Sequence, residues 1–307
     1  MNKKLLMALV LILISVYLSG CSSPPTKFVR LNNVDSQILI KDKTPDQVPF
    51  RVAVSSILSP KETLTVYQPL IDYLEVKLGY PVTLLQRKTY KEVNDLLQIG
   101  GADVAFVCSG GYVAGNQSFS MELLAIPIVK DKRVYQSYII TNQTIPGDSI
   151  VDLRGRSFAF TDPMSFSGRI APVYMLEAQN IDSHTFFGRT FYTYSHDNAI
   201  RAVAEGIVDA SAVDSMILDH AVQREPSLVT KIKVIDQSIF IGNPPVVVNP
   251  ALDPLLKQRV QIVLLAMNED ANGRKALQAL SYDKFVTPDD QDYVKLKSIW
   301  LSLKEKL

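Results

Sequence analysis

The stretch "FAFTDPMSFSGRIAP", residues 158–172, decides how the chain is built. An apolar strand ends in Asp162-Pro163, a pair that reverses the chain, and two serines and a glycine then open a helix expected from about Ser167 to Gln179. A strand that feeds a helix is half of a βα unit. The same pattern recurs on both sides of this stretch. Upstream, "FRVAVSS", "PVTLLQ" and "ADVAFV" read as strands, separated by "VYQPLIDYLEVKL" and "YKEVNDLLQIG", whose apolar residues fall at three- and four-residue spacing. Downstream, "RSFAFT", "TFYTY" and "VDASAV" alternate with helices, one of them expected from about Asn198 to Glu205. Strands alternating with helices imply parallel βαβ units and an α/β fold.

Two extended segments link these blocks: "YQSYIITNQ" (Tyr135 to Gln143) leads out of the first, and "QSIFIGNPPVVVNP" (Gln237 to Pro250) leads back, its prolines disfavouring helix. From about Pro254 to Lys306 the pattern reads as helical throughout, and these helices are expected to return to the first block. The expected architecture is α/β and two-lobed, with two hinge-crossing segments and a ligand cleft. Residues 48–137 plus 246–307 form lobe 1 and residues 138–245 form lobe 2. Ligands of open α/β sheets bind beyond the carboxyl ends of the strands.

The first twenty residues carry Lys3 and Lys4, then an apolar run from Leu5 to Leu18 that is short for a bilayer span, which needs roughly 20 residues. They read as an export signal ending at Leu18-Ser19-Gly20-Cys21, which resembles a bacterial lipobox. On that resemblance residues 1–20 are removed, Cys21 is lipidated, and residues 21–47 serve as lipid anchor and flexible stalk. The mature chain is then exported and tethered to a bacterial membrane, on the periplasmic side or at the cell surface. Losing both lysines takes the formal balance of the 307-residue chain from +1 to −1, which gives no nucleic-acid signature. Once Cys21 is lipidated, Cys108 is the only thiol left and no internal disulfide forms. After "VAFV", Cys108 reads as a small buried hydrophobe.

The opening stretch admits two functions for its serines. The first amides of a helix lack partners and its dipole is positive there, so residues 165–168 can cradle an oxyanion with the Ser165 and Ser167 hydroxyls, Gly168 leaving room for the ligand. Asp162 or Ser165 can equally serve as an ordinary cap. A second helix start, "YTYSHDNAIRAVAEG", places His196 beside the caps Ser195 or Asp197, where it either donates to an anion or bonds locally. Three adjacent residues Ser195-His196-Asp197 do not make a catalytic relay, and no Gly-x-Ser-x-Gly elbow or Gly-rich lysine loop occurs. His184, His196 and His220 lack metal-helix spacing. Neither enzyme, metal nor cofactor is expected.

In order and spacing, "YQPLIDYLEVKLG", "GADVAFV…GYV", "DLRGRSFAFTDPMSFSG", "SHDNAIRAVAEGIVDASAVDS" and the final "PPVVV" resemble the phosphonate-, phosphite- and phosphate-binding lipoproteins of ABC importers, the phosphonate-binding (PhnD-like) family. The resemblance covers residues 48–290. It implies a type II periplasmic-binding-protein fold that closes on a small oxyanion and delivers it to ABC permease and ATPase subunits. It also implies that Ser165, Phe166 (through its backbone), Ser167, Gly168 and His196 hold the oxyanion from lobe 2. Tyr90 and Tyr135 complete the wall, with Asp214 close by. Where relatives read Ser-Thr-Ser-Gly, this chain has Phe166 in the second place. Where relatives that accept an aminated ligand carry an aspartate and a glutamate, it has Pro244 and Met216. An unpaired buried ammonium costs several kcal/mol, so the pocket is expected to suit a small, uncharged-tail phosphonate, phosphite or phosphate. The alternatives are a lipoprotein that reports occupancy to a separate receptor, and a binding protein for a non-phosphorus ligand, including a metal held by Tyr90 and Tyr135.

Overall fold

In the first strand, β1 (Phe50–Val54), Phe50, Val52 and Val54 face one way and Ala53 the other, a period of two that gives the sheet two buried faces. The computed structural model describes residues 48–307. The signal, Cys21 and the stalk expected over residues 1–47 lie outside the described residues.

The chain continues through α1 (Pro60–Leu78), β2 (Val82–Gln86), α2 (Tyr90–Gln98), β3 (Val104–Phe106), α3 (Ser109–Phe119) and β4 (Glu122–Ile128). Local chemistry sets these bounds. Pro60 opens α1 and Gly79 closes it at φ +67°, a left-handed position that costs glycine nothing. Thr89 and Glu92 form a reciprocal capping box at the start of α2. The short β5 (Val134–Tyr135) leads to β6 (Ser137–Asn142), β7 (Ser157–Phe160), a π-type turn (Phe166–Ile170) running into α4 (Ala171–Glu177), α5 (Ser183–Phe186), β8 (Arg189–Tyr192), α6 (His196–Ala204), β9 (Ala210–Asp214), α7 (Ser215–Arg224) and β10 (Ile232–Gln237). The return passes through β11 (Ile241–Gly242) and β12 (Val246–Val248) to α8 (Pro254–Leu265), α9 (Ala271–Leu280), β13 (Lys284–Val286) and α10 (Val294–Leu303).

Two sheets result, with strand orders β13-β4-β12-β3-β1-β2 and β10-β6-β9-β7-β8. Each has a parallel core, β3-β1-β2 and β9-β7-β8, bordered by one antiparallel strand from a crossing segment, β12 in the first sheet and β6 in the second. Where the segments pass each other, β5 and β11 pair as a two-stranded ribbon, Tyr135 opposite Ile241. In the first lobe α1, α8 and α9 cover one face of the sheet and α2, α3 and α10 the other. In the second, Phe158 and Phe160 of β7 face the core with Phe186 and Phe187, whereas Ala159 faces α6.

One expectation fails. Residues 254–306 are not helical throughout: β13 interrupts them, pairing antiparallel with β4 and burying Phe285 against Phe106 and Tyr282. Three residues hold no periodicity that local sequence can display, and their strand state comes from the open edge of β4.

Candidate functional site

Every parallel strand ends toward the same region, and the expected site residues lie just past those ends: Tyr90 after β2, Ser165 to Gly168 after β7, His196 after β8 and Asp214 closing β9. All are buried, and Tyr135 of the crossing ribbon joins them. Buried polar side chains gathered in one place require partners, and several here have none. The hydroxyls of Ser167 and Tyr90 are enclosed without a partner of hydrogen-bond geometry, although the Ser165 hydroxyl lies beside that of Tyr90.

Around the turn the two readings of the serines separate. Ser165 caps: its Oγ accepts the Gly168 N–H at 3.0 Å. Asp162 Oδ1 accepts the Met164 N–H at 2.8 Å, and its Oδ2 accepts the Tyr90 N–H of the other lobe at 3.1 Å. Ser167 does neither. Its carbonyl accepts the Ser137 hydroxyl at 2.6 Å, which fixes the turn and leaves the Ser167 Oγ uncommitted. The expected role of Gly168 changes. A Cβ there would meet Thr161 Oγ1 at 1.7 Å, so glycine serves the packing of the turn on Thr161 rather than an approach of ligand. Phe166 stacks edge-on to Tyr135, ring centroids 5.9 Å apart, and its amide lies by the thiol of Cys108.

His196 is wholly buried, and its Nδ1 accepts the Asp214 N–H at 3.0 Å. The neutral ring therefore carries its proton on Nε2 as a donor. Burial holds it neutral, lowering its pKa to about 3 against a small opposing pull from Asp197. His196 thus does both things the sequence allows: Nδ1 bonds locally, and Nε2–H remains as a neutral donor for an anion. Asp214 caps α7 by accepting the N–H groups of Met216 (2.8 Å) and Ile217 (3.4 Å), and burial nonetheless raises it to about 7. Desolvation also pushes the Tyr90 and Tyr135 hydroxyls well above their ordinary range, so both are neutral donors. Among the described residues no group of three or more His, Cys, Asp or Glu side chains is placed to hold a metal.

Sequence reasoning missed three contributors. Cys108 is buried, but its Sγ lies 4.0 Å from the Tyr135 hydroxyl and beside the amides of Gly110, Gly111 and Phe166. Gly110 lets the lobes meet: a Cβ there would sit 2.2 Å from the Met164 carbonyl and 2.8 Å from the Phe166 nitrogen. The start of α3 thus faces the turn at residues 166–170, and the Gly110-Gly111 pair after a strand was the available signal. Asp162 was read as a cap only, and its link to Tyr90 was invisible locally. Other contacts also join the lobes: the His196 N–H donates to the Ile57 carbonyl, Asp197 accepts the Ser59 N–H, Lys130 pairs with Asp219, and Arg224 pairs with Glu62.

Residues 52–293 match the model of a family described as "ABC transporter, phosphonate, periplasmic substrate-binding protein". The chain belongs to this family. Its members are substrate-binding proteins rather than enzymes, exported to work with ABC transporters. The chain is 24% identical over 240 residues to the phosphonates-binding periplasmic protein of Escherichia coli (strain K12), covering 76% of this chain and 71% of that one. A binding-protein component of an ABC phosphonate transporter from Pseudomonas aeruginosa shares the fold at TM-score 0.79 and 22% identity, covering 84% of this chain and 87% of that one. PhnD1 from Prochlorococcus marinus, solved in complex with methylphosphonate, aligns at TM-score 0.77 and 15% identity, over 83% of this chain and 98% of that one. Among the described residues no helix is long and apolar enough to cross a membrane.

Proposed function

We propose that this substrate-binding protein captures a phosphorus oxyanion, a phosphonate, phosphite or phosphate, among Ser167, Tyr90, Tyr135, His196 and the backbone N–H groups of Phe166 and Ser167, those of Ser165 and Gly168 being held by Asp162 and Ser165. The observation that carries this reading is a set of buried neutral donors, two of them without partners, gathered at a helix start between the lobes. Amides and hydroxyls stabilise an oxyanion without a lysine or arginine, and burial strengthens each charge-assisted bond. Asp214 lies close enough to raise the Tyr90 and Tyr135 hydroxyls and can accept from a ligand hydroxyl.

Binding couples to closure. Residues 48–137 and 246–307 act as one lobe and 138–245 as the other, hinged at the β5–β11 ribbon. A ligand touching both lobes shifts the population toward the closed form that an ABC permease and its ATPase subunits engage. The family and the complexed relative support this cargo class. Cys21, in the lipobox-like Leu18-Ser19-Gly20-Cys21, anchors the mature chain by lipid. Cys21→Ala is expected to move the protein from the membrane fraction to the soluble one, and unchanged fractionation would rule the anchor out.

The test of the cargo is a thermal-shift panel of phosphate, phosphite, methylphosphonate, sulfate and divalent metals with chelator. Ligand at a thousandfold over Kd stabilises by about 4 kcal/mol, roughly 8–16 °C at 2–4 °C per kcal/mol. A rise confined to phosphorus oxyanions is expected. A flat panel, or a metal response abolished by chelator, would refute the reading.

A further inference from the structure

Beside the cradle lies a cavity of about 450 Å³ that none of its unpartnered hydroxyls lines. Its wall is mainly apolar, with Val54, Leu58 and Val66 from the first lobe facing Met216 and Ile217 from the second, and Leu277 of α9 closing one side. Asp214 connects the two spaces. It lines the cavity, and its own N–H donates to His196 Nδ1 of the cradle at 3.0 Å.

The charged groups of this wall are already engaged. Lys130 is paired with Asp219 at 2.6 Å, Asp283 accepts the Asp131 N–H, and Arg274 donates to the Asn268 carbonyl. His220 bonds Ser281 through Nδ1 at 2.9 Å, which leaves its Nε2 and the Ser55 hydroxyl as the buried wall atoms without a hydrogen-bond partner. Asp214 already caps α7 through two amides. A volume in the range of drug-sized ligand sites, roughly 300–1,000 Å³, is far more than a methyl group fills.

Resting on the cradle as the oxyanion site, we infer that the cargo is an organophosphonate or phosphate monoester with an uncharged apolar tail of several carbons. The head group sits at Ser167 and His196, and the tail passes Asp214 into the cavity. Each methylene buried there tightens binding, whereas an ammonium in its place meets Met216 and Ile217, and the one carboxylate it passes, Asp214, is the desolvated cap of α7.

The test is calorimetry on the purified protein with phosphate, methyl-, propyl-, hexyl- and phenylphosphonate, and with 2-aminoethylphosphonate as the near-isostere of propylphosphonate. Affinity is expected to rise about fourfold per buried methylene, with propylphosphonate at least about tenfold tighter than the aminoethyl compound. Met216→Glu, at a half-buried position in the wall, is expected to erase the affinity advantage of propylphosphonate over methylphosphonate. If methylphosphonate binds and longer tails bind no better, or the ammonium compound binds more tightly than propylphosphonate, the tail inference is wrong and the cradle stands. If no phosphorus compound binds, both are wrong.

Discussion

Ser167→Ala separates a binding hydroxyl from a structural one. The Ser167 Oγ is buried with no protein partner, while the carbonyl of the same residue is held by Ser137. Removing the hydroxyl breaks no internal bond. An unsatisfied buried polar group costs roughly 1–3 kcal/mol, so the variant should be as stable as the parent or more so, with Tm unchanged or raised by a few degrees. Ligand binding should respond in the opposite direction. A hydrogen bond to a charged group contributes about 1.5–3 kcal/mol, so affinity for methylphosphonate should fall roughly 10- to 150-fold. Calorimetry and thermal unfolding on one preparation read both quantities. An affinity within about twofold of wild type would remove Ser167 from the site. A Tm several degrees lower would show that its hydroxyl has a structural partner.

Gly168→Ala should destabilise the fold by about 1–3 kcal/mol through overpacking on Thr161, and Thr161→Ala in the same chain should recover part of this in urea unfolding. Gly110→Ala should leave each lobe folded by circular dichroism but prop them apart, because its Cβ meets backbone atoms of Met164 and Phe166. Small-angle scattering should then report an open form and calorimetry a large loss of affinity; an unchanged scattering curve would count against a close lobe contact there. Asp214 titrates near 7 in the fold against an ordinary value of 3.8. The folded state therefore holds the extra proton between these values, and its stabilising contribution is present below about pH 4 and lost as pH rises through about 7. His196, lowered to about 3, acts in the reverse sense, its contribution being lost as pH falls below 6.5 toward 3. The Tm of Asp214→Asn minus that of wild type isolates the aspartate and should grow from pH 4 to pH 7; a constant difference would show that Asp214 is not desolvated.

Local pattern carried the alternation of strands and helices because each strand here buries one residue type per face, as Phe158 and Phe160 against Ala159 do in β7. It carried the two crossings because prolines and β-branched residues exclude helix there. It could not carry β13, whose three residues owe their state to β4, nor Gly110, whose bareness matters only when Met164 and Phe166 arrive from another lobe. Cys108 looked like one more apolar residue for the same reason. At the site, residue types and order marked Ser167 and His196. Only coordinates distinguish Ser165, whose hydroxyl caps its own turn, from Ser167, whose hydroxyl is free. The tautomer of His196 likewise follows from the Asp214 amide, eighteen positions away.

The most direct measurement is a crystal structure of the protein with methylphosphonate. Phosphonate oxygens are expected within hydrogen-bond distance of Ser167 Oγ, His196 Nε2 and the hydroxyl of Tyr90. Phosphonate bound elsewhere, with Ser167 and Tyr90 still unpartnered, would contradict this arrangement.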